Sequence, residues 1–146
     1  MKKQILSVVV TLSVIITLSV AGFAGLSTSL KANIPFDFTV GGKKLLAGQY
    51  IVEQGVVRGA LVIRNAETKK AIAVMAMEIQ NDNDSKPKLT FRRYGNQYFL
   101  AKVIGVTGGN ELPKTKAERE AAKAVRDHLT MNEATPEIVT VSAQAG

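Results

Sequence analysis

The run KLTFRRYGNQYFLAKVIGV, residues 88–106, decides the fold. Apolar and polar side chains alternate along Lys88 to Tyr94 and again from Gln97, and a period of two marks a strand with one buried face. Gly95 and Asn96 suit a two-residue turn, with glycine at the first, positive-φ position of a type II′ turn. A hairpin is expected that pairs Tyr94 with Gln97, Arg93 with Tyr98 and Phe91 with Leu100. That register places Leu89, Phe91, Leu100 and Ile104 on one face. Arg93 and Tyr98 fall at the end of this face, where the guanidinium can stand over the ring as a cation–π pair. Arg92, Arg93, Tyr94 and Tyr98 are the candidate surface-binding residues; the competing reading makes them the structural end of a hairpin.

Working upstream, Ile34, Phe36, Phe38 and Val40 alternate with Asn33, Pro35, Asp37 and Thr39, a second half-buried strand. Pro35 lacks a backbone donor, so this strand is expected along a sheet edge at its start. Gly41 and Gly42 supply positive φ for a tight turn, and Leu46 to Gly48 form another. Tyr50 and Val52 then alternate with Gln49, Ile51 and Glu53. ALVIR (residues 60–64) reads as a short strand, with a polar turn over Asn65 to Lys69. AIAVMAM (residues 71–77) is apolar throughout, which fits a central strand covered on both faces or a short buried helix, and its place among strands favours the strand. Residues 80–87 form a loop whose Asp and Asn side chains bond the local backbone. A plain loop is favoured over a calcium loop there, because Lys86 and Pro87 stand where an oxygen ligand and a glycine are needed.

Downstream of Gly108, Gly109 and Asn110 the period becomes helical. Thr115-Lys116-Ala117-Glu118 has the form of a capping box, and the helix is expected from about residue 116 to 129, with Ala117, Ala121, Ala124, Val125 and Leu129 along its docking stripe. Its charged face offers Lys116 with Glu120 and Lys123 with Asp127 at i, i+4 spacing. Residues 131–146 form a tail in which Ile138 to Val141 favour one added strand.

At the other end, Lys2 and Lys3 precede an uncharged apolar run from Ile5 to Val20 and the small residues Ala21, Gly22 and Ala24. These are the parts of a secretory signal peptide over residues 1–24, cut after Ala24 and followed by a linker over residues 25–32. A retained signal anchor is the competing reading, since about 20 apolar residues can span a bilayer. Cleavage leaves no membrane span. Removing 24 residues from 146 leaves about 122, enough for one domain (residues 33–130) and its tail. The absence of Cys excludes a disulfide-stapled scaffold, so an ordinary apolar core must hold an exported chain together.

Loss of Lys2 and Lys3 lowers the net charge from +7 to +5. Outside the cell membrane this balance points away from nucleic acid and toward an anionic envelope surface or polysaccharide, or simply toward solubility. Chemistry is scarcely signalled. His128 is the one histidine, placed where a cation meets the helix dipole favourably. No metal or cofactor site is expected, and no spacing singles out a pair among Asp37, Glu53, Glu78 and Glu111.

NIPFDFTVGGKKLLAGQY (residues 33–50), LVIRNAETKKA (61–71), KLTFRRYGNQYFLAKV (88–103) and ELPKTKAERE (111–120) together resemble a family of small exported bacterial proteins of uncharacterised function. The resemblance implies export and a shared fold, and carries no catalytic residues. Leu46 stands where that family commonly has proline, so its turn should be less rigid. The expected fold is mainly β: a small antiparallel sandwich or barrel of about six or seven strands with one C-terminal helix. The expected function is that of an exported, non-catalytic binding or structural module of the cell envelope, periplasm or secreted fraction. Alternatives are a carrier of a small apolar ligand, its barrel cavity lined by Phe36, Phe38, Phe91 and Leu100, and an unrecognised enzyme.

Overall fold

The computed structural model describes residues 29–80, 86–129 and 135–146. The expected signal segment, the first half of the linker, the core of the 80–87 loop and the start of the tail lie outside these residues. Among them are eleven strands: β1 (Leu30–Ile34), β2 (Phe38–Val40), β3 (Lys43–Leu45), β4 (Gly48–Gln54), β5 (Ala60–Asn65), β6 (Ala71–Met75), β7 (Met77–Ile79), β8 (Lys88–Tyr94), β9 (Gln97–Ile104), β10 (Gly109–Glu111) and β11 (Glu137–Ala145), with one helix, α1 (Lys116–Leu129). The fold is mainly β, as expected. More strands form than the expected six or seven, because interruptions at residues 35–37 and at Ala76 each divide one extended run into two, and short β10 and the tail strand β11 are added.

The strands form one curled, open sheet, a half-barrel, in the order β3-β2-β9-β8-β11-β1-β4-β5-β6. Every pairing is antiparallel except a single parallel bridge between Thr39 of β2 and Phe99 of β9. β10 pairs with both β9 and β7, so the far side of the sheet bends at Ala76 and reaches back toward β9. The ends of the strand order approach each other at Gly41, where an added Cβ would sit 2.6 Å from Val74 Cγ1.

The inner face follows from the period of two. Leu30, Ala32 and Ile34 of β1, Phe38 and Val40 of β2, Tyr50 and Val52 of β4, Leu61 and Ile63 of β5, Leu89 and Phe91 of β8, and Leu100 and Val103 of β9 form one buried core. The 88–106 hairpin pairs Tyr94 with Gln97, Arg93 with Tyr98 and Phe91 with Leu100, the expected register. A bulge then intervenes. Thr90 pairs with Lys102, so Ala101 is the extra residue, and its carbonyl accepts the Leu112 N–H at 2.8 Å. An extra residue flips the phase of the following strand. Val103, not the expected Ile104, therefore joins Leu89 in the core, and Ile104 points to the other face.

Three further positions differ from expectation. β1 lies inside the sheet between β11 and β4 rather than at its edge, because Pro35 falls just beyond its last residue and costs it no ladder bond. β1 also begins at Leu30, within the stretch expected as linker. The AIAVMAM run is indeed a strand, but β6 ends the strand order instead of occupying the centre, and Met75 and Met77 are exposed. The tail contributes β11, which pairs with β8 on one side and β1 on the other.

Helix α1 docks on the outer face of the hairpin through Ala121, with Ala122 and Val125, against Tyr94 and Phe99. Its docking stripe is rotated from the expected one: Glu118 is buried, whereas Ala117 and Ala124 are exposed. The Thr115 hydroxyl accepts the Glu118 N–H at 3.2 Å, the first half of the capping box. The Glu118 carboxylate does not return that bond. It turns to the sheet.

Candidate functional site

The expected surface-binding residues separate onto two faces, because neighbours on a strand point in opposite directions. Arg92 and Tyr94 point outward under α1. Arg92 Nη2 donates to Glu118 Oε2 at 3.1 Å and to the Leu112 carbonyl at 3.2 Å, its Nε donates to Glu118 Oε1, and the Tyr94 hydroxyl donates to Glu118 Oε1 at 3.3 Å. Arg92 is 8% exposed and Tyr94 3%. Both are buried rather than exposed on the hairpin, because α1, whose docking on this face the hairpin's own pattern does not show, covers them. Burial, the Glu118 charge and the hydrogen bond to it together hold the Tyr94 phenol above its usual 10.0, with Arg92 opposing.

Arg93 and Tyr98 fall on the inner face at one mouth of the half-barrel. The Arg93 guanidinium stands 5.3 Å from the Tyr98 ring centroid, the expected cation–π contact. It also donates to Glu137 Oε2 at 3.1 Å and to the Gly95 carbonyl at 2.7 Å, so its charge is already engaged. Tyr98 stacks on Phe36 at 3.9 Å between centroids, and Phe36 meets Phe91 edge-on at 5.1 Å. Phe38 packs edge-on against both Phe91 and Tyr50. The four apolar residues expected to line a ligand cavity, Phe36, Phe38, Phe91 and Leu100, instead pack together and against the core. This mouth is plugged.

The opposite mouth is open, with a cavity of about 780 Å³, within the range typical of small-molecule sites. Its apolar floor comprises Leu30, Val52, Leu61 and Val103, and its polar lining includes Gln54, Glu53, Glu78 and Asn110. Register explains how Glu78 and Asn110 converge. Leu89, Val103, Asn110 and Glu78 stand opposite one another across β8, β9, β10 and β7, and residues directly opposite in antiparallel pairs share a face. Because Leu89 and Val103 face inward, Asn110 and Glu78 do too. Gly109 permits this approach: a Cβ there would lie 2.8 Å from Ile104 Cδ1 and 3.0 Å from Ile79 Cγ1.

Asn110 is 5% exposed, and its Oδ1 has no hydrogen-bond partner among the described residues. Buried amide oxygens are rarely left so. Glu78 pairs with the exposed Arg58 at 3.3 Å. Of the four carboxylates weighed from sequence, Asp37 accepts the Ala47 N–H at 2.9 Å and pairs with Lys44, and Glu111 pairs with Lys102. Glu53 and Glu78 alone of the four lie at the open mouth, and of these only Glu78 faces inward, since Glu53 follows the inward-facing Val52 in β4. Nothing in their spacing announced this, since 24 intervening residues carry the chain through β5, β6 and their turns. The available local signal was Gly108-Gly109-Asn110, where glycine beside a polar residue marks close strand approach rather than a mere prelude to the helix.

Among the described residues, no cluster of three His, Cys, Asp or Glu side chains is arranged to hold a metal ion. No helix among them is long and apolar enough to cross a membrane. No family model, curated protein or solved structure matches this chain.

Proposed function

We propose that this chain is an exported, non-catalytic binding module that takes a small amphiphilic molecule into the open mouth of its half-barrel. The observation that carries this reading is the cavity itself: an apolar floor below a rim of hydrogen-bonding side chains, the composition of a small-ligand site. Export is supported by the charged, apolar and small-residue succession of residues 1–24 and by the resemblance to small exported bacterial proteins. Occupancy by a neutral amphiphile tests the cavity directly. In a 1H–15N titration of the purified protein with 1-hexanol, the amides of Gln54, Val103, Gly108 and Asn110 should shift saturably, while those of Gly95 and Tyr98 at the plugged mouth stay fixed. Absence of saturable shifts at the open mouth, or equal shifts at both ends, overturns the reading.

A further inference from the structure

We infer that the molecule held in the open mouth presents a positively charged, hydrogen-bond-donating head, a primary amine on an apolar body, to Glu78 and Asn110. This inference rests on the binding role proposed for the mouth and specifies its ligand.

Charge distribution gives the first argument. The chain carries 19 basic and 12 acidic residues, yet the cavity lining itself contains no Lys or Arg. Arg58 meets Glu78 only from the exposed side, so the enclosed side of the rim holds acceptors with no lining cation, a setting that favours a cationic guest. The second argument is independent of charge. Asn110 Oδ1 is a buried acceptor with no donor among the described residues, and cross-strand register places its side chain on the inner face beside Glu78. An unpaired buried acceptor is destabilising relative to a satisfied one. A ligand that donates a hydrogen bond removes that cost, and one that only accepts does not.

The chemistry of the rim narrows the head group further. Carboxylates and an amide oxygen are acceptors, so an ammonium with three donors can satisfy several at once. Arg58 already shows that Glu78 accepts a cation at this rim, from the exposed side at 3.3 Å. Below the rim, Leu30, Val52, Leu61 and Val103 offer a floor for an alkyl or ring body.

Three six-carbon probes that differ only in the head separate these ideas: hexylamine, 1-hexanol and hexanoate, each titrated into the purified protein at pH 7 and low salt and followed by amide shifts of the mouth. Hexylamine should bind at least about tenfold more tightly than hexanol, and hexanoate more weakly than either, as charge-assisted hydrogen bonds exceed neutral ones. The Glu78→Gln protein should lose the preference for hexylamine over hexanol. Equal binding of amine and alcohol by the parent, or an amine preference that survives the substitution, overturns the cationic head while leaving the binding role intact. If none of the probes shifts the mouth, the binding role itself falls.

Discussion

At the scale of single residues, the most consequential group is the buried trio of Arg92, Glu118 and Tyr94. Arg92 and Glu118 side chains are 9% and 2% exposed, respectively, so each charge depends on the other for what water no longer provides. Removing one partner of such a pair strands the survivor and costs about 3–5 kcal/mol, whereas replacing both with apolar residues of similar volume is often neutral. Glu118→Ala should therefore lower urea stability by that amount, and Arg92→Met/Glu118→Leu should recover most of it. A single substitution without effect would mean that the Arg92–Glu118 pair does not hold the helix to the sheet. Tyr94 adds a pH dependence of definite sign. Its raised phenol pKa means the folded protein keeps a proton that the unfolded chain loses near pH 10. The stability contribution is complete below that pH and declines as pH rises through the folded value. Tyr94→Phe should accordingly lose less stability than the parent between about pH 9 and pH 11 in paired urea titrations; parallel losses would show that the phenol does not titrate with unfolding. None of this trio was legible as a unit. Alternation correctly set Arg92 and Tyr94 opposite Phe91 and Arg93, but local pattern cannot show that a helix more than 20 residues later covers the outward face.

Among the elements, the two hairpin turns show how far local chemistry carries. Gly95 takes φ +60° while Asn96 stays outside the left-handed region, and Gly41 and Gly42 take +57° and +77°. Both turns were readable because few residues other than glycine adopt these angles at little cost. What each turn touches was not readable. Gly41 and Gly42 have the same backbone demand, yet an added Cβ at Gly42 meets nothing within 4 Å, whereas at Gly41 it would overlap Val74. Gly42→Ala should thus show only the left-handed strain, about 1–2 kcal/mol, and Gly42→Asn less, since Asn tolerates that region. Gly41→Ala should be clearly worse than Gly42→Ala in thermal unfolding, because β6 must move away from the turn. Equal losses would mean that β6 yields freely and that the ends of the sheet are not packed together. The Ala101 bulge teaches a similar lesson: strict alternation predicted Ile104 in the core, and one extra residue substituted Val103. Without that phase change, Lys102 would face inward where Val103 now stands beside Asn110.

For the whole molecule, the decisive feature is the position of β11. The sequence suggested a strand in the tail but not its partners, because pairing across nearly the full length of a chain leaves no local trace. β11 pairs with β1 through Leu30↔Ala145 and with β8 through Val139↔Phe91, joining the β3-β2-β9-β8 group to the β1-β4-β5-β6 group. Otherwise the β10 pairings with β7 and β9 link the two groups at the open mouth. The half-barrel therefore closes its core only once β11 has paired with β1 and β8, and such non-local pairing makes for slow folding. Deleting residues 137–146 should leave β1 and β8 as bare inner edges, abolish the cooperative thermal transition and remove the near-ultraviolet signal of packed tyrosines. Because the missing element is one extended strand, the peptide EIVTVSAQAG added in trans should restore that signal by strand addition, as main-chain ladder bonds supply much of the affinity in such pairing. The same peptide with Val139 and Val141 replaced by lysine should fail, since both pack against the core. A truncated chain that melts cooperatively at the parent temperature would instead show that the two strand groups are held together without β11.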